Sequence, residues 1–218
     1  MVRSENSSKK TGIGIFGGTF NPIHLGHLII AEKVREALNL KRIVFIPSRY
    51  PPHKGTPEIG AFHRYRMVKL AISTNPYFML SEIELRRKGI SYTIDTVRTL
   101  KKLYAKERNF YLILGLDAYL ETGSWKDIGK LARLIKFVVV KRPGYKLHPH
   151  LPPGDSLPLR GRMEEGGQFS AIKFLNLEPI GISSTEVRKR IKEGRSIRYL
   201  LPEKVIDYIY QHHLYKEL

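Results

Sequence analysis

The chain has 218 residues, 42% of them hydrophobic and 27% charged, a length and balance that suit one compact domain with a full core. It contains no cysteine, which excludes disulfides, thiolate zinc sites and cysteine nucleophiles, and no run approaches the roughly 20 apolar residues of a membrane span. Its 38 Lys and Arg against 20 Asp and Glu give a net charge of +18 and a pI near 10.0. Such a surplus favours anionic partners such as nucleotides, nucleic acid or acidic membrane surfaces, and equally describes a solvated cationic surface.

Residues 1–10 are polar and lack the apolar core of a secretion signal; they read as a frayed tail ahead of one domain over 11–218, and the expected location is cytoplasmic. GIGIF at 12–16, ending in Gly17-Gly18, has the pattern of a buried parallel strand. In LGHLIIAEKVREALNL, Ile30, Ala31, Val34, Ala37 and Leu38 recur at helical spacing with charged residues between them, which predicts an amphipathic helix. RIVFIP follows as a second buried strand stopped at Pro47, so strand, Gly-rich loop, helix and strand make one right-handed βαβ unit.

After a Pro- and Gly-rich loop the alternation continues. A helix is expected over about 61–73, a short strand near 78–84, a helix over 91–105 and a buried strand over 109–115. A further helix is expected over 125–134 and a strand over 134–140. Residues 144–169 hold Pro149, Pro152, Pro153, Pro158 and five Gly, and read as a long mobile loop. AIKFL is the last strand, and helices near 184–193 and 203–212 close the chain. This order predicts an α/β fold: a Rossmann-like, doubly wound parallel sheet with a small C-terminal helical extension. In such sheets ligands sit beyond the carboxyl ends of the strands.

GGTFNPIHLGH lies at such an end, between the first strand and the first helix. Gly17 and Gly18 let an anion approach the backbone, and the helix N-terminus beyond favours phosphate. His24 and His27, three apart, share one face of the first turn, where imidazoles can donate to a phosphate oxygen. Gly26 between them leaves room for a base or ribose. Taken singly, each feature has a plainer reading: a tight connection for the glycines, a core position for His27 beside Ile30 and Ala31. Two His without Cys or a nearby third ligand make a poor zinc site. ISSTEVR at 182–188 opens another helix, where Ser183 and Glu186 read as a capping box and, equally, Ser184, Thr185 and Arg188 one turn in read as a seat for phosphates. Asp117, after a strand end and Gly115, reads as a helix N-cap or as a ligand group.

The eleven-residue string resembles the T/HxGH signature of the nucleotidyltransferase superfamily, and specifically the bacterial nicotinate-nucleotide adenylyltransferases. PSRYPPHK at 47–54, SYTIDT at 91–96, GLDA at 115–118, Trp125, KRPGY at 141–145 and LPEKVIDYI at 201–209 extend the resemblance in order. Only about 146–171 has no counterpart. The resemblance implies catalytic roles for His24, His27 and Arg188. It implies an ATP site that adds Gly17, Gly18, Thr19 and Phe20, then Gly115 and Asp117, then the triphosphate seat of Ser183, Ser184 and Thr185. Lys54, Thr93 and Trp125 would serve the acceptor, nicotinate mononucleotide.

Where that family often has an aromatic residue after the Trp, this chain has Lys126, whose charge suits the nicotinate carboxylate. Mg2+ is expected to arrive with ATP, since no carboxylate cluster suggests a protein-built site, and no tightly bound cofactor is expected. Within the same fold, nicotinamide mononucleotide, pantetheine phosphate or a CMP transfer are alternative chemistries. From another class, a basic RNA-binding module would use residues 86–88 and Arg188 to Arg198, although no RNA-binding motif is present. Nucleic acid is therefore not expected as the primary partner, and a homo-oligomer is left open.

Overall fold

The central strands are apolar on both faces, and the computed structural model, which describes residues 11–50, 57–141, 172–177 and 180–216, buries both. β1 (Ile13–Gly18) pairs in parallel with β2 (Arg42–Pro47) on one side and β4 (Phe110–Gly115) on the other. β3 (Phe78–Leu80) adds outside β2, while β5 (Lys136–Lys141) and then β6 (Ile172–Asn176) add outside β4. The sheet order is β3-β2-β1-β4-β5-β6, all parallel.

On one face Phe16, Ile43, Phe45 and Ile113 meet α1 (Leu25–Ala37), α2 (Ala61–Ile72), α6 (Ser184–Lys192) and α7 (Glu203–Gln211) in a single core. On the other, Ile13, Ile15, Val44 and Ile46 meet α3 (Thr93–Leu103) and α5 (Ile128–Leu134). The alternation of side chains along each strand thus feeds two cores. Val187, Val205, Ile206 and Ile209 lie in the first of them, so the C-terminal helices are part of that layer. Gly14 is needed there: a Cβ would stand 2.4 Å from Ile43 Cδ1 and 3.1 Å from Leu40 Cδ1.

Several local expectations are corrected. β1 runs on through both glycines because its ladder to β2 reaches Gly18 opposite Pro47. β3 stops at Leu80, and the Ser81 N–H bond to the Phe45 carbonyl is where the chain leaves the sheet. The helix expected from 125 begins only at Ile128, because Trp125 is extended and Asp127 is left-handed at φ 54°. Before it come α4 (Leu116–Leu120) and a 3-10 turn over Glu121–Ser124, neither legible as a periodic pattern. On α1, Ala37 is exposed, and Arg35 is buried instead: it bonds Glu32 and lies 4.3 Å over the Tyr77 ring, covering apolar surface with its stem.

The connections run outward from β1 through β2 to β3, then return to β4 and run outward the other way. β1 and β4 therefore flank the topological switch point, where a crevice opens beyond their carboxyl ends.

Candidate active site

The crevice is floored by the loops that leave β1 and β4. Gly17 and Gly115 are both exposed, and nothing lies within 4 Å of where a Cβ would stand on either, so the backbone is open to a ligand. Gly18 differs, since a Cβ would press on the Phe20 ring at 3.2 Å. Phe20 holds a left-handed φ of 48°, an arrangement that costs a non-glycine residue about 1 kcal/mol or more. Its ring is 3% exposed and edge-on to His27 at 5.2 Å. The following loop is pinned carbonyl by carbonyl. Arg64 Nη1 donates to Thr19 O at 2.7 Å, Arg188 Nη1 to Asn21 O at 2.8 Å, and Ser184 Oγ to Pro22 O at 2.8 Å. The Tyr215 hydroxyl donates to Asn21 Oδ1 at 2.8 Å.

His24 is the N-cap of α1, and its backbone N–H donates to His27 Nδ1 at 3.2 Å. With Nδ1 acting as acceptor, a neutral His27 carries its proton on Nε2, which makes the distal ring nitrogen a donor. The two imidazoles stack at 3.7 Å between centroids. His27 lines the crevice, whereas His24 is 4% exposed and stands behind it. Gly26 does not open space for a base or ribose: a Cβ there would meet the His24 ring at 3.0 Å and Ile180 Cγ2 at 3.3 Å, so those groups already fill the position. Gly26→Ala is expected to displace His24 and lower turnover about tenfold with a small fall in melting temperature. Unchanged turnover would show that the ring pair tolerates the shift.

α6 brings the second helix start. Ser183 is its N-cap and accepts from Glu186 N–H at 3.1 Å, so the capping reading holds for this side chain. Ser184, Thr185 and Arg188 face the crevice one turn in, while Ser183 does not line it. Arg188 Nε lies 3.0 Å from Glu58 Oε1, a pairing between residues 130 apart in sequence.

The far end is built by α3, α4 and the 3-10 turn. Thr93 opens α3, and Asp117 lies in the first turn of α4, whose N-cap is Gly115 and not Asp117. Trp125 closes the 3-10 turn. Lys126 Nζ sits 4.3 Å over the Tyr92 ring and 3.8 Å from Asp95 Oδ2. Glu84 is buried at this end, accepting from Thr96 Oγ1 at 2.8 Å. Burial pushes its carboxyl above the ordinary range, against the pull of the Thr96 hydrogen bond and of Arg87.

These parts enclose one cavity of about 710 Å³. Around it the fold gathers Gly17, Gly18, Thr19, Phe20 and His27 from β1 and α1. Gly115, Asp117, Thr93, Trp125 and Lys126 come from the far end, and Ser184, Thr185 and Arg188 from α6. Lys54 and the 144–171 stretch lie outside the described residues. Asn21, Glu58, Glu84 and Glu121 also line the cavity without having been singled out by sequence. Glu84 did carry a signal, as the acid just ahead of the basic run 86–88. Among the described residues no group of three or more His, Cys, Asp or Glu is arranged to hold a metal ion, and no helix is long and apolar enough to cross a membrane.

The cytidylyltransferase-like family model matches residues 15–190. A Moorella thermoacetica protein named "Probable nicotinate-nucleotide adenylyltransferase" is 42% identical over 205 residues, covering 94% of this chain and 91% of the relative. A Thermus thermophilus protein of the same name is 42% identical over 204 residues, covering 94% and 99%. Among solved structures, Plasmodium falciparum nicotinic acid mononucleotide adenylyltransferase complexed with NaAD matches with a TM-score of 0.72 at 23% identity, covering 94% of this chain and 97% of that one, a likeness of fold. Matched at this identity along nearly its whole length, the chain belongs to the nicotinate-nucleotide adenylyltransferases, within the cytidylyltransferase-like family.

Proposed function

We propose that the chain joins ATP and nicotinate mononucleotide, giving nicotinate adenine dinucleotide and pyrophosphate. The observation that carries this reading is a single cavity with two chemically distinct ends. One end combines an open glycine backbone, an imidazole and a cationic helix start, which suits a triphosphate. The other combines Trp125, Thr93 and Lys126, which suits an aromatic ring bearing a carboxylate.

In the reaction an oxygen of the mononucleotide phosphate attacks the α-phosphorus of ATP, and the bond to the β-phosphate oxygen breaks. That oxygen is anionic near neutral pH, so positioning and charge neutralisation supply the catalysis without a general base. His27 donates from Nε2 to the α-phosphoryl oxygens, with His24 stacked against it as the second member of the pair. Arg188, Ser184 and Thr185 hold the leaving pyrophosphate, and Ser183 fixes the helix start that presents them. Gly115 and Asp117 lie against the nucleotide. Mg2+ would arrive as part of the substrate, MgATP, and would supply neutralisation of the charge that develops on the leaving pyrophosphate, which Arg188, Ser184 and Thr185 hold. Protein stripped with EDTA and desalted is expected to regain full activity on addition of MgATP alone. A requirement for a separately restored metal would place a resident ion in the protein.

Pyrophosphate release, measured with ATP and each of nicotinate mononucleotide, nicotinamide mononucleotide and pantetheine phosphate, tests the assignment. The highest kcat/KM is expected with nicotinate mononucleotide; a higher value with another acceptor overturns it. Lys126→Glu is expected to raise KM for nicotinate mononucleotide about tenfold by placing like charges together, with little change for the nicotinamide analogue. An unaltered KM removes Lys126 from the acceptor site. The RNA-binding alternative loses support from the pairing of its basic run: Arg190 and Arg195 contact Glu186, and Lys189 contacts Glu193.

A further inference from the structure

Arg64 on α2 takes no part in the chemistry above, yet it is 1% exposed and lies against the loop that follows β1. Its Nη1 donates to Thr19 O at 2.7 Å and its Nη2 to Arg49 O at 3.3 Å. Its Nε has no hydrogen-bond partner among the described residues. Among the described residues the Tyr215 phenol is the one ionisable group that acts on it, and burial draws the guanidinium below its ordinary range, although arginine remains charged at neutral pH. A cation withdrawn from water without an acid beside it is an unfavourable way to fill a core, which an apolar side chain of similar volume would fill better.

Its placement gives it a use. The Thr19–Phe20 peptide is trans, since the one cis bond among the described residues is Asn21–Pro22, so its N–H points opposite to its carbonyl. Thr19 and Phe20 line the cavity and Arg64 does not. Drawing the Thr19 carbonyl back toward α2 therefore turns the Phe20 N–H away from Arg64, on a peptide whose two residues line the cavity. Arg49, the second carbonyl, lies two residues beyond the end of β2. One guanidinium thus ties together the chain segments leaving β1 and β2.

We propose that Arg64 is a positioning residue for ATP: from beneath the loop it orients the Thr19–Phe20 peptide toward the triphosphate and contributes a buried positive charge that the phosphates compensate. The inference rests on the reading of this end of the cavity as the ATP seat. Arg64→Met, which keeps the volume and removes charge and donors, is expected to weaken binding of a non-hydrolysable ATP analogue at least about tenfold, the scale of a lost charged hydrogen bond. The KM for the mononucleotide acceptor should stay within about twofold, since the acceptor end is built by other elements. Arg64→Lys keeps the charge but not the fork that reaches two carbonyls, and a weakening of about threefold is expected.

Both variants are measured well below their melting temperatures, and the lysine variant decides the question if the methionine variant does not fold. A purely structural arginine would lower the melting temperature and leave analogue affinity unchanged, or weaken both substrates alike; either result overturns the proposal. Wild-type protein that fails to bind the analogue overturns the ATP reading and this inference together. Wild-type binding that the variants retain in full overturns this inference alone.

Discussion

Replacing His27 with alanine is expected to lower kcat at least about 100-fold, the effect of losing one preorganised donor to a charge that develops in the transition state. The ring is held before substrate arrives. Its Nδ1 is engaged by the His24 N–H at 3.2 Å, and it packs against Phe20 at 5.2 Å, Phe16 at 6.0 Å and His24 at 3.7 Å between centroids. Little reorganisation then accompanies reaction, so the loss should fall on kcat more than on either KM. Because the Nδ1 contact also closes the first turn of α1, the variant's melting temperature must be measured alongside. A drop in stability without a drop in turnover would make His27 a capping residue only, and near-normal kcat would remove it from the chemistry.

The sheet and its helices were legible because burial on both faces leaves a strong local mark. RIVFIP matches β2 residue for residue, since a short apolar-dominated run that follows a helix and ends in a proline has few other uses. The start of α6 was legible for a different local reason: a serine N-cap satisfies an orphan N–H of the first turn, here Ser183 Oγ accepting from Glu186 N–H, while the Glu186 carboxylate turns to Arg190 and Arg195. α4 escaped because a five-residue helix is too short to show a period. The depth of the two histidines also escaped. Spacing put His24 and His27 on one face, but only the packed fold tells that one lines the cavity while the other lies behind it.

The partnerships that shape the site are the least readable of all. Arg64 meets Thr19 across 45 residues and Arg188 meets Glu58 across 130, and no local pattern distinguishes these arginines from the many others in a chain of charge +18. Arg188 was singled out by its place in the helix-start motif, whereas its carboxylate partner had no such marker. In the same way, the buried position of Arg35 follows from Tyr77 and Glu32 and not from the periodicity of α1, which assigns it to solvent.

Arg188→Ala is expected to reduce kcat/KM for ATP about 100-fold, through loss of a charge-assisted contact to the leaving pyrophosphate. The substitution also releases Asn21 O, which Nη1 holds at 2.8 Å, so part of the loss will come from the loosened loop. Glu58 separates the two contributions. Its Oε1 lies 3.0 Å from Arg188 Nε and its Oε2 3.7 Å from Lys192 Nζ, at the end of the cavity where the triphosphate is proposed to bind. An incoming triphosphate that engages Arg188 would displace that carboxylate from it. The pair is partly exposed, at 21% and 42% for the two side chains, so the opposing interaction is modest. Glu58→Gln is accordingly expected to lower KM for ATP by about two- to fivefold, the range of an exposed ion pair, while leaving the Asn21 contact intact. If the carboxylate acts by occupying Arg188, the gain should largely vanish in the Arg188→Ala background, a non-additivity that a double-mutant cycle reads directly. A gain of equal size in both backgrounds would mean that Glu58 repels the phosphates through space. No gain in either would mean that ATP binds without displacing it.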